Sequence, residues 1–460
     1  MRHPFWFLRG PFRLASVVSL GLCSLSLVGC GGSSKVPSTD KPADATASSD
    51  IKLLLEKSTT ALQQRQWKSA LQTLTEAIKL DPKCAEAYFQ RASLLADAGQ
   101  AQAALIDFTK AIEFAPKDAK IRHTRGFFLM TQQQTDLAIV DFTAAIEINP
   151  KHTQAHNNRG LAWLSKGDLA KARADFNQAL QIEPKYVESL INRGFVAYQS
   201  KQHKQALADY DQALKLQPEN VNALNNRGLA HFELKDYEQA VADFSKAIAR
   251  ERYSAKFYLQ RRACYLQLGR DEEAQADAAK VVWLGKLNEL NRHVAQEPKD
   301  AGNYVQLAQH LIAGGESKVA LASYETAMQV QPKYGRSYSS RAVFWLSNGE
   351  FDKAIADCNR AIQIDPHFEA YSIRGDAHLQ QREFDLAIAD YHKAKRVDGQ
   401  VAKAYLFRAK KLAAEGKTDE AKRDRERAAD IDRETQPVLL MVTPRGVIQE
   451  EEEKLLGIPK

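Results

Sequence analysis

This sequence lacks the features that would point to an enzyme or to a nucleic-acid-binding protein. It carries 64 Lys and Arg residues against 57 Asp and Glu residues, and the basic residues form no long run. Without a basic stripe to follow a phosphate backbone, nucleic acid is not indicated as a partner. The histidines form neither HExxH nor another metal-ligand spacing. We therefore expect no metal, no cofactor and no catalytic residues.

A hydrophobic run long enough to span a membrane is also missing. The uncharged stretch from Leu14 to Cys30 has an apolar core of about 15 residues, whereas a membrane-spanning helix needs roughly 20. Arg2, Arg9 and Arg13 precede this stretch. A basic start followed by a short apolar core is typical of a signal peptide, which we place at residues 1–29.

The end of this stretch, Leu27-Val28-Gly29-Cys30, resembles the lipobox of bacterial lipoproteins. The resemblance implies that Cys30 becomes the new N-terminus and carries the lipid. Each buried methylene contributes about 0.8 kcal/mol, so two or three acyl chains would anchor the protein firmly. The residue after the cysteine is Gly31 rather than Asp, and by the same resemblance this favours a location in the outer membrane. An ordinary signal peptide with an incidental cysteine is the alternative.

Residues 30–50 are rich in Ser, Thr, Pro, Asp and Lys, and they predict a flexible linker that follows the lipidated cysteine.

The chain after this linker is built on a period of 34 residues. Pro82, Pro116, Pro150, Pro184 and Pro218 are each 34 residues apart, and each follows a segment with apolar residues at helical spacing. Numbering each repeat from 1 to 34, with the proline at position 32, gives eleven repeats. They begin at residues 51, 85, 119, 153, 187, 221, 255, 301, 335, 368 and 402.

Small and aromatic residues recur at fixed positions of these repeats. Position 20 is alanine in all eleven, position 8 is glycine or alanine in nine, and position 24 is mostly aromatic, as in Phe142 and Phe176. Small residues at positions 8 and 20 would let two helices approach closely, with the aromatic side chain filling the space between them. This pattern resembles the tetratricopeptide repeat. The resemblance implies an all-α, right-handed superhelical solenoid of about eleven helix pairs, with one helix of each pair lining a concave groove.

The repeats predict an interruption in the array. The seventh repeat has Arg262 at position 8 and Ala278 at position 24, and twelve extra residues, 289–300, precede the eighth. We interpret 279–297 as a lengthened or additional helix; an insertion that leaves the stacking intact is the alternative. The predicted domains are therefore an array of seven repeats at 51–288, the insertion at 289–300, an array of four repeats at 301–435, and a tail at 436–460 that could cap the last repeat.

Nine repeats carry arginine at position 7, and the same nine carry aspartate at position 23, as in Arg159 and Asp175. In a helical hairpin that turns near position 15, these positions lie opposite each other. We predict an Arg–Asp pair that bridges the two helices of each of these repeats. An arginine that faces a phosphate or a glycan is the alternative.

Amide side chains occupy positions 5 and 6 of the central repeats, one or two residues before the arginine. An amide both donates and accepts hydrogen bonds, so a ladder of amides can bind the backbone of an extended peptide. The arrangement is similar to the asparagine ladder in the repeats of O-linked GlcNAc transferases. The structural alternative is that these amides only solvate a helix face or bond the neighbouring repeat. The candidate groove-binding residues are Gln90, Asn157, Asn158, Asn192, Asn225, Asn226 and Gln260.

Together these features predict a membrane-anchored repeat scaffold in the bacterial cell envelope. Its expected partners are proteins or extended peptides bound in the groove, for assembly of an envelope complex, together with the membrane itself through Cys30. A lipoprotein that binds an envelope glycan or another polymer is the alternative. Cys84, Cys264 and Cys358 lie in the first, seventh and ninth repeats, which do not neighbour one another, so we expect no disulfide between them.

Overall fold

The computed structural model describes residues 43–435, and within this range the chain is entirely helical, with 22 helices and no strand. The predicted all-α class and the eleven helix pairs are confirmed. The helices are α1 (Ala43–Gln63), α2 (Trp67–Leu80), α3 (Ala85–Asp97), α4 (Ala101–Phe114), α5 (Ala119–Thr131), α6 (Thr135–Ile148), α7 (Thr153–Ser165), α8 (Leu169–Ile182), α9 (Val187–Gln199), α10 (His203–Leu216), α11 (Val221–Glu233), α12 (Tyr237–Arg250), α13 (Ala255–Gln267), α14 (Asp271–Gln296), α15 (Ala301–Ala313), α16 (Ser317–Val330), α17 (Gly335–Ser347), α18 (Phe351–Ile364), α19 (Phe368–Gln380), α20 (Phe384–Lys393), α21 (Gly399–Ala414) and α22 (Thr418–Thr435).

Each repeat consists of a first helix and a second helix joined by a three-residue turn. In the fourth repeat, α7 ends at Ser165 and α8 begins at Leu169. Gly167, the middle residue of this turn, has a φ of +80°, a left-handed conformation that glycine adopts without steric cost. Other repeats place a long polar residue there, as with Lys201 at a φ of +59°. The turn reverses the chain, so the second helix packs back along the first.

The glycine at position 8 packs directly against the aromatic ring at position 24 of the same repeat. A Cβ added to Gly160 would lie 2.7 Å from the Phe176 ring, and one added to Gly194 would lie 2.6 Å from the Tyr210 ring. Both rings are fully buried. The predicted contact between small and aromatic residues is therefore confirmed, and it holds the two helices of a repeat together at close range.

The chain divides into two compact units, with the division between Ala278 and Ala279. In the N-terminal unit, successive repeats share an apolar core, as where Phe89 and Phe128 pack on Phe108. In the C-terminal unit, Leu379, Tyr391, Tyr405 and Ile431 belong to one such cluster.

The division falls inside α14, a helix of 26 residues where the other second helices have 10 to 18. The lengthened helix expected across 279–297 corresponds to residues 279–296 of α14, which include the whole second half of that helix, so residues 289–296 of the predicted insertion are helical. Leu284, Leu287 and Leu290 are buried along this half. This apolar face at helical spacing accounts for the extension of the helix beyond the length of an ordinary repeat.

The first helix begins earlier than the repeat boundary. Helix α1 starts at Ala43, so residues 43–50 of the predicted flexible linker are helical, which fits a segment that contains three alanines before Ile51. Cys30 and the rest of the predicted signal peptide and linker lie outside the described residues. The predicted C-terminal tail, 436–460, lies outside them as well.

Candidate functional site

All nine predicted Arg–Asp pairs are present. In the fourth repeat, Arg159 donates to the Asp175 carboxylate from Nε at 2.9 Å and from Nη2 at 2.7 Å. The carboxylate is buried, whereas about a fifth of the arginine side chain is exposed. This two-point geometry orients both side chains and joins the first helix of a repeat to its second. The pairs are Arg91–Asp107, Arg125–Asp141, Arg159–Asp175, Arg193–Asp209, Arg227–Asp243, Arg261–Asp277, Arg341–Asp357, Arg374–Asp390 and Arg408–Asp424.

Most of these arginines make a third contact that the sequence pattern does not predict. Arg159 Nη1 donates to Thr143 Oγ1 at 3.1 Å, and Thr143 lies on the second helix of the preceding repeat. Six of the other arginines make the same contact with position 25 of the preceding repeat. Because position 25 varies among Thr, Asn, Asp and Ser, the sequence shows no single residue type repeated at this position. The acceptors are Thr75, Thr109, Thr143, Asn177, Asp211, Ser245 and Asn359.

These contacts leave the arginines little capacity for a ligand. The hydrogen bonds that Arg91 and Arg193 donate to the Asp107 and Asp209 carboxylates raise the pKa of these arginines above the ordinary value. Burial opposes ionisation of Asp175, but His156 and Arg159 outweigh it and hold the pKa of that carboxyl below its usual value. Each of the nine arginines joins two or three helices, and we assign a structural role to all nine.

The candidate amides of the fourth and fifth repeats form a hydrogen-bonded network. Asn157 Oδ1 accepts from Asn192 Nδ2 at 3.0 Å and from Ser189 Oγ at 2.9 Å, both in the next repeat. Asn157 Nδ2 donates to Asn158 Oδ1 at 3.1 Å, and Asn158 Nδ2 donates to His123 Nε2 of the preceding repeat at 3.0 Å. Asn157 is only 3% exposed. The network links α5, α7 and α9 from one repeat to the next.

The remaining candidate amides are also drawn into the repeat stack. Asn225 and Asn226 are 2% and 5% exposed, and Asn225 Nδ2 donates to Asn226 Oδ1 at 2.8 Å. Gln90 accepts a hydrogen bond from Ser58 of the preceding repeat at 2.8 Å. Gln260 is half-buried and its Oε1 is enclosed. The structure thus places the amides along one face of the first helices, where several contact an adjacent repeat.

Apolar side chains lie on the same side of the first helices as the amides. Positions 9 and 12 follow position 5 by one and two helical turns, so all three share a side of the helix. Phe127 is 42% exposed, and the other members are half-buried. We call this double row, together with the amides, the ladder face. The position-9 row is Phe127, Leu161, Phe195 and Leu229, and the position-12 row is Met130, Leu164, Tyr198 and Phe232.

The described residues show neither a metal centre nor a membrane span. Between residues 43 and 435, no three His, Cys, Asp or Glu side chains converge as metal ligands. Within that same range, none of the helices combines the length and the apolar character needed to cross a bilayer.

Models of the tetratricopeptide repeat family match most of the N-terminal repeats and one repeat of the C-terminal unit. The matches support the tetratricopeptide repeat family as the family of this chain. No curated protein matches the chain at a significant level. The matched segments are 59–128, 119–152, 153–186, 196–235, 221–253 and 335–368.

Solved structures of other repeat proteins are similar to parts of the chain. PilF of Pseudomonas aeruginosa is 18% identical, with a TM-score of 0.43 over 47% of this chain and 97% of that one. A tetratricopeptide repeat protein from Parabacteroides merdae is 21% identical, with a TM-score of 0.42 over 52% of this chain and 94% of that one. PilW, a type IV pilus biogenesis factor, is 18% identical, with a TM-score of 0.41 over 46% of this chain and 96% of that one.

Proposed function

We propose that this tetratricopeptide repeat chain is a scaffold that binds protein or extended peptide partners on the ladder face of its N-terminal unit. The observation that carries the proposal is the double apolar row at positions 9 and 12 of four consecutive repeats. Eight apolar side chains at a constant interval form a surface that the intramolecular packing leaves partly exposed. Apolar surface of this kind gains free energy when a partner removes it from water.

The amides stabilise the arrangement of the first helices that carry these apolar rows. The bonds among Asn157, Asn158 and Asn192 hold adjacent first helices in register, so the apolar rows stay aligned. Gln90, Asn158, Asn192 and Gln260 are half-buried, and we propose them as the amides that contact a partner backbone. Asn157, Asn225 and Asn226 form the buried layer of the same proposed site.

This arrangement favours a protein partner over a glycan. Recognition of a sugar requires several exposed donors and acceptors. The most deeply buried amides of the ladder face already bond one another or the next repeat, and eight of its partly exposed positions are apolar. Apolar side chains of a polypeptide match such a surface better than hydroxyl groups do.

The place of action in this proposal is the bacterial envelope. The lipobox-like residues Leu27 to Cys30 imply a lipid anchor that follows export. An anchored scaffold would hold its partners at the membrane, for assembly of an envelope complex. We propose the outer membrane as the location because Gly31 follows Cys30.

The proposal is tested by photocrosslinking in membranes of cells that express the chain. A photoreactive residue replaces Leu164 on the ladder face in one variant and Val140, which is 62% exposed on a second helix, in the control. Protein adducts formed from position 164 and absent from position 140 would support the scaffold. Adducts that contain only glycan would favour the alternative polymer-binding function. Equal adducts from both positions would contradict a specific face.

A further inference from the structure

Two histidines meet where the third and fourth repeats join. The rings of His123 on α5 and His152 at the start of α7 have centroids 4.7 Å apart, at an interplanar angle of 39°. His123 also lies 5.8 Å from the ring of Phe142. The pair therefore sits within the contact between these repeats, next to the amide network of the ladder face.

Both imidazoles use a nitrogen as a hydrogen-bond acceptor. Asn158 Nδ2 donates to His123 Nε2 at 3.0 Å, and the backbone N–H of Ala155 donates to His152 Nδ1 at 3.4 Å. An imidazole nitrogen accepts a hydrogen bond only while it carries no proton. Protonation would turn each acceptor into a donor that faces another donor, and it would place two positive charges side by side.

The charged groups around the pair are already engaged with other partners. His156 Nδ1 lies 3.7 Å from Asp175, the carboxylate that Arg159 holds. Asp118 accepts from the backbone N–H groups of Lys120 and Ile121, as the cap of α5. Lys117 and Lys120 line the same surface cavity as Asp118 and His152, and they add positive charge. The two lysines disfavour an imidazolium, and the carboxylates of Asp118 and Asp175 are held by other donors.

The protonation equilibria agree with this geometry. Burial, with a smaller effect from His152, lowers the pKa of His123 to about 4. Burial also lowers the pKa of His152. The folded junction thus disfavours the protonated form of both rings relative to exposed histidines.

We propose that the His123–His152 pair makes the junction between the third and fourth repeats acid-labile, so that α5 and α7 separate locally as the pH falls. The junction is intact above the pKa of an exposed histidine, near 6.5, and its stability is lost progressively as the pH falls from there to about 4. From these two pKa values, His123 alone should raise the equilibrium constant for local opening about 30-fold between pH 7.5 and pH 5.

Hydrogen exchange of the full chain tests the proposal without any partner, so its outcome is independent of the proposed scaffold function. Opening constants of the α5 and α7 amides, corrected for the intrinsic effect of pH on exchange, are compared at pH 7.5 and pH 5. The wild-type chain should show the increase, and the His123→Gln variant should lose most of it because a glutamine does not titrate. His367→Gln, in a turn of the C-terminal unit, is the matched control and should behave as wild type.

The proposal is overturned if His123→Gln retains the wild-type pH dependence or if wild-type opening constants do not change with pH. Should the variant fail to fold at neutral pH, NMR titration of the His123 ring in the wild-type chain decides the matter. A midpoint below pH 5 supports the proposal. A midpoint near 6.5 refutes it.

Discussion

Asp175 on α8 accepts two hydrogen bonds from Arg159 on α7, at 2.9 Å from Nε and 2.7 Å from Nη2. A third donor of the same guanidinium reaches Thr143 on α6, in the preceding repeat. One side chain therefore connects the two helices of its own repeat and the repeat before it. Because this triple contact recurs along the N-terminal unit, the arginine row is a main determinant of the stacking geometry.

Removal of one partner of this pair should destabilise the array. Asp175→Ala leaves the Arg159 guanidinium largely buried without its carboxylate, and we expect a loss of about 3 kcal/mol in the free energy of unfolding. The measurement is denaturant unfolding of Arg159→Ala, Asp175→Ala and the double variant. The cycle should give a coupling energy of about 1–3 kcal/mol. Additive effects would contradict the pairing, and the exposed pair Lys110–Glu113 should show no measurable coupling.

Two glycine substitutions should have opposite effects. A Cβ on Gly160 would approach the buried Phe176 ring to 2.7 Å, so Gly160→Ala should lower stability by about 1–3 kcal/mol. Gly285 lies inside α14 with no atom within 4 Å of an added Cβ, so Gly285→Ala should raise stability by about 0.5–1 kcal/mol. Thermal melts of the two variants, with wild type alongside, measure both shifts. Equal shifts would refute the packing role of position 8.

The Arg–Asp pairs and the glycine contacts could be predicted because each depends on two positions inside one repeat. An interval of 16 residues appears in the sequence whenever both partners recur. The contact from Arg159 to Thr143 escaped prediction because its acceptor lies in another repeat and changes type from one repeat to the next. Sequence periodicity reveals contacts between constant residues, but it does not reveal hydrogen bonds that several residue types can make.

The role of the amides could be predicted only in part. Their common face on the first helices followed from the 34-residue interval. The burial of Asn157 and Asn225 did not, because it depends on how closely the next repeat approaches. The apolar rows at positions 9 and 12 were visible in the sequence, yet helical spacing alone does not separate a core residue from a half-exposed one.

Thiol reactivity should follow burial. Burial raises the pKa of the Cys358 thiol to about 12 and that of Cys264 to about 11, so at pH 8 neither forms appreciable thiolate. Cys84 is half-buried, and burial raises its pKa as well. With Cys30 replaced, native-state alkylation followed by peptide mass spectrometry should label Cys84 first, and labelling of all three at once should require denaturant. Rapid native labelling of Cys358 would contradict its position in the core.

Membrane anchoring rests on Cys30, which carries the lipid in the proposed lipoprotein. Cys30→Ala should shift the protein from the membrane fraction to the soluble fraction when cells are fractionated, because no acyl chain can then be attached. Cys84→Ala, a substitution within the repeats, is the control and should leave the protein in the membrane fraction. Unchanged membrane retention of Cys30→Ala would refute the lipobox interpretation.

The central claim is that the ladder face binds a protein partner. Once photocrosslinking has identified that partner, its affinity for the purified chain should be measured by calorimetry with two matched double variants. Phe127→Ser/Phe195→Ser removes two aromatic side chains of the ladder face, and Leu137→Ser/Val140→Ser removes two exposed apolar side chains from α6. Loss of about 1.5 kcal/mol or more for each of the two aromatic contacts predicts an affinity at least about a hundredfold weaker for the first variant and unchanged for the second. Equal affinities of the ladder-face variant and wild type would contradict the claim.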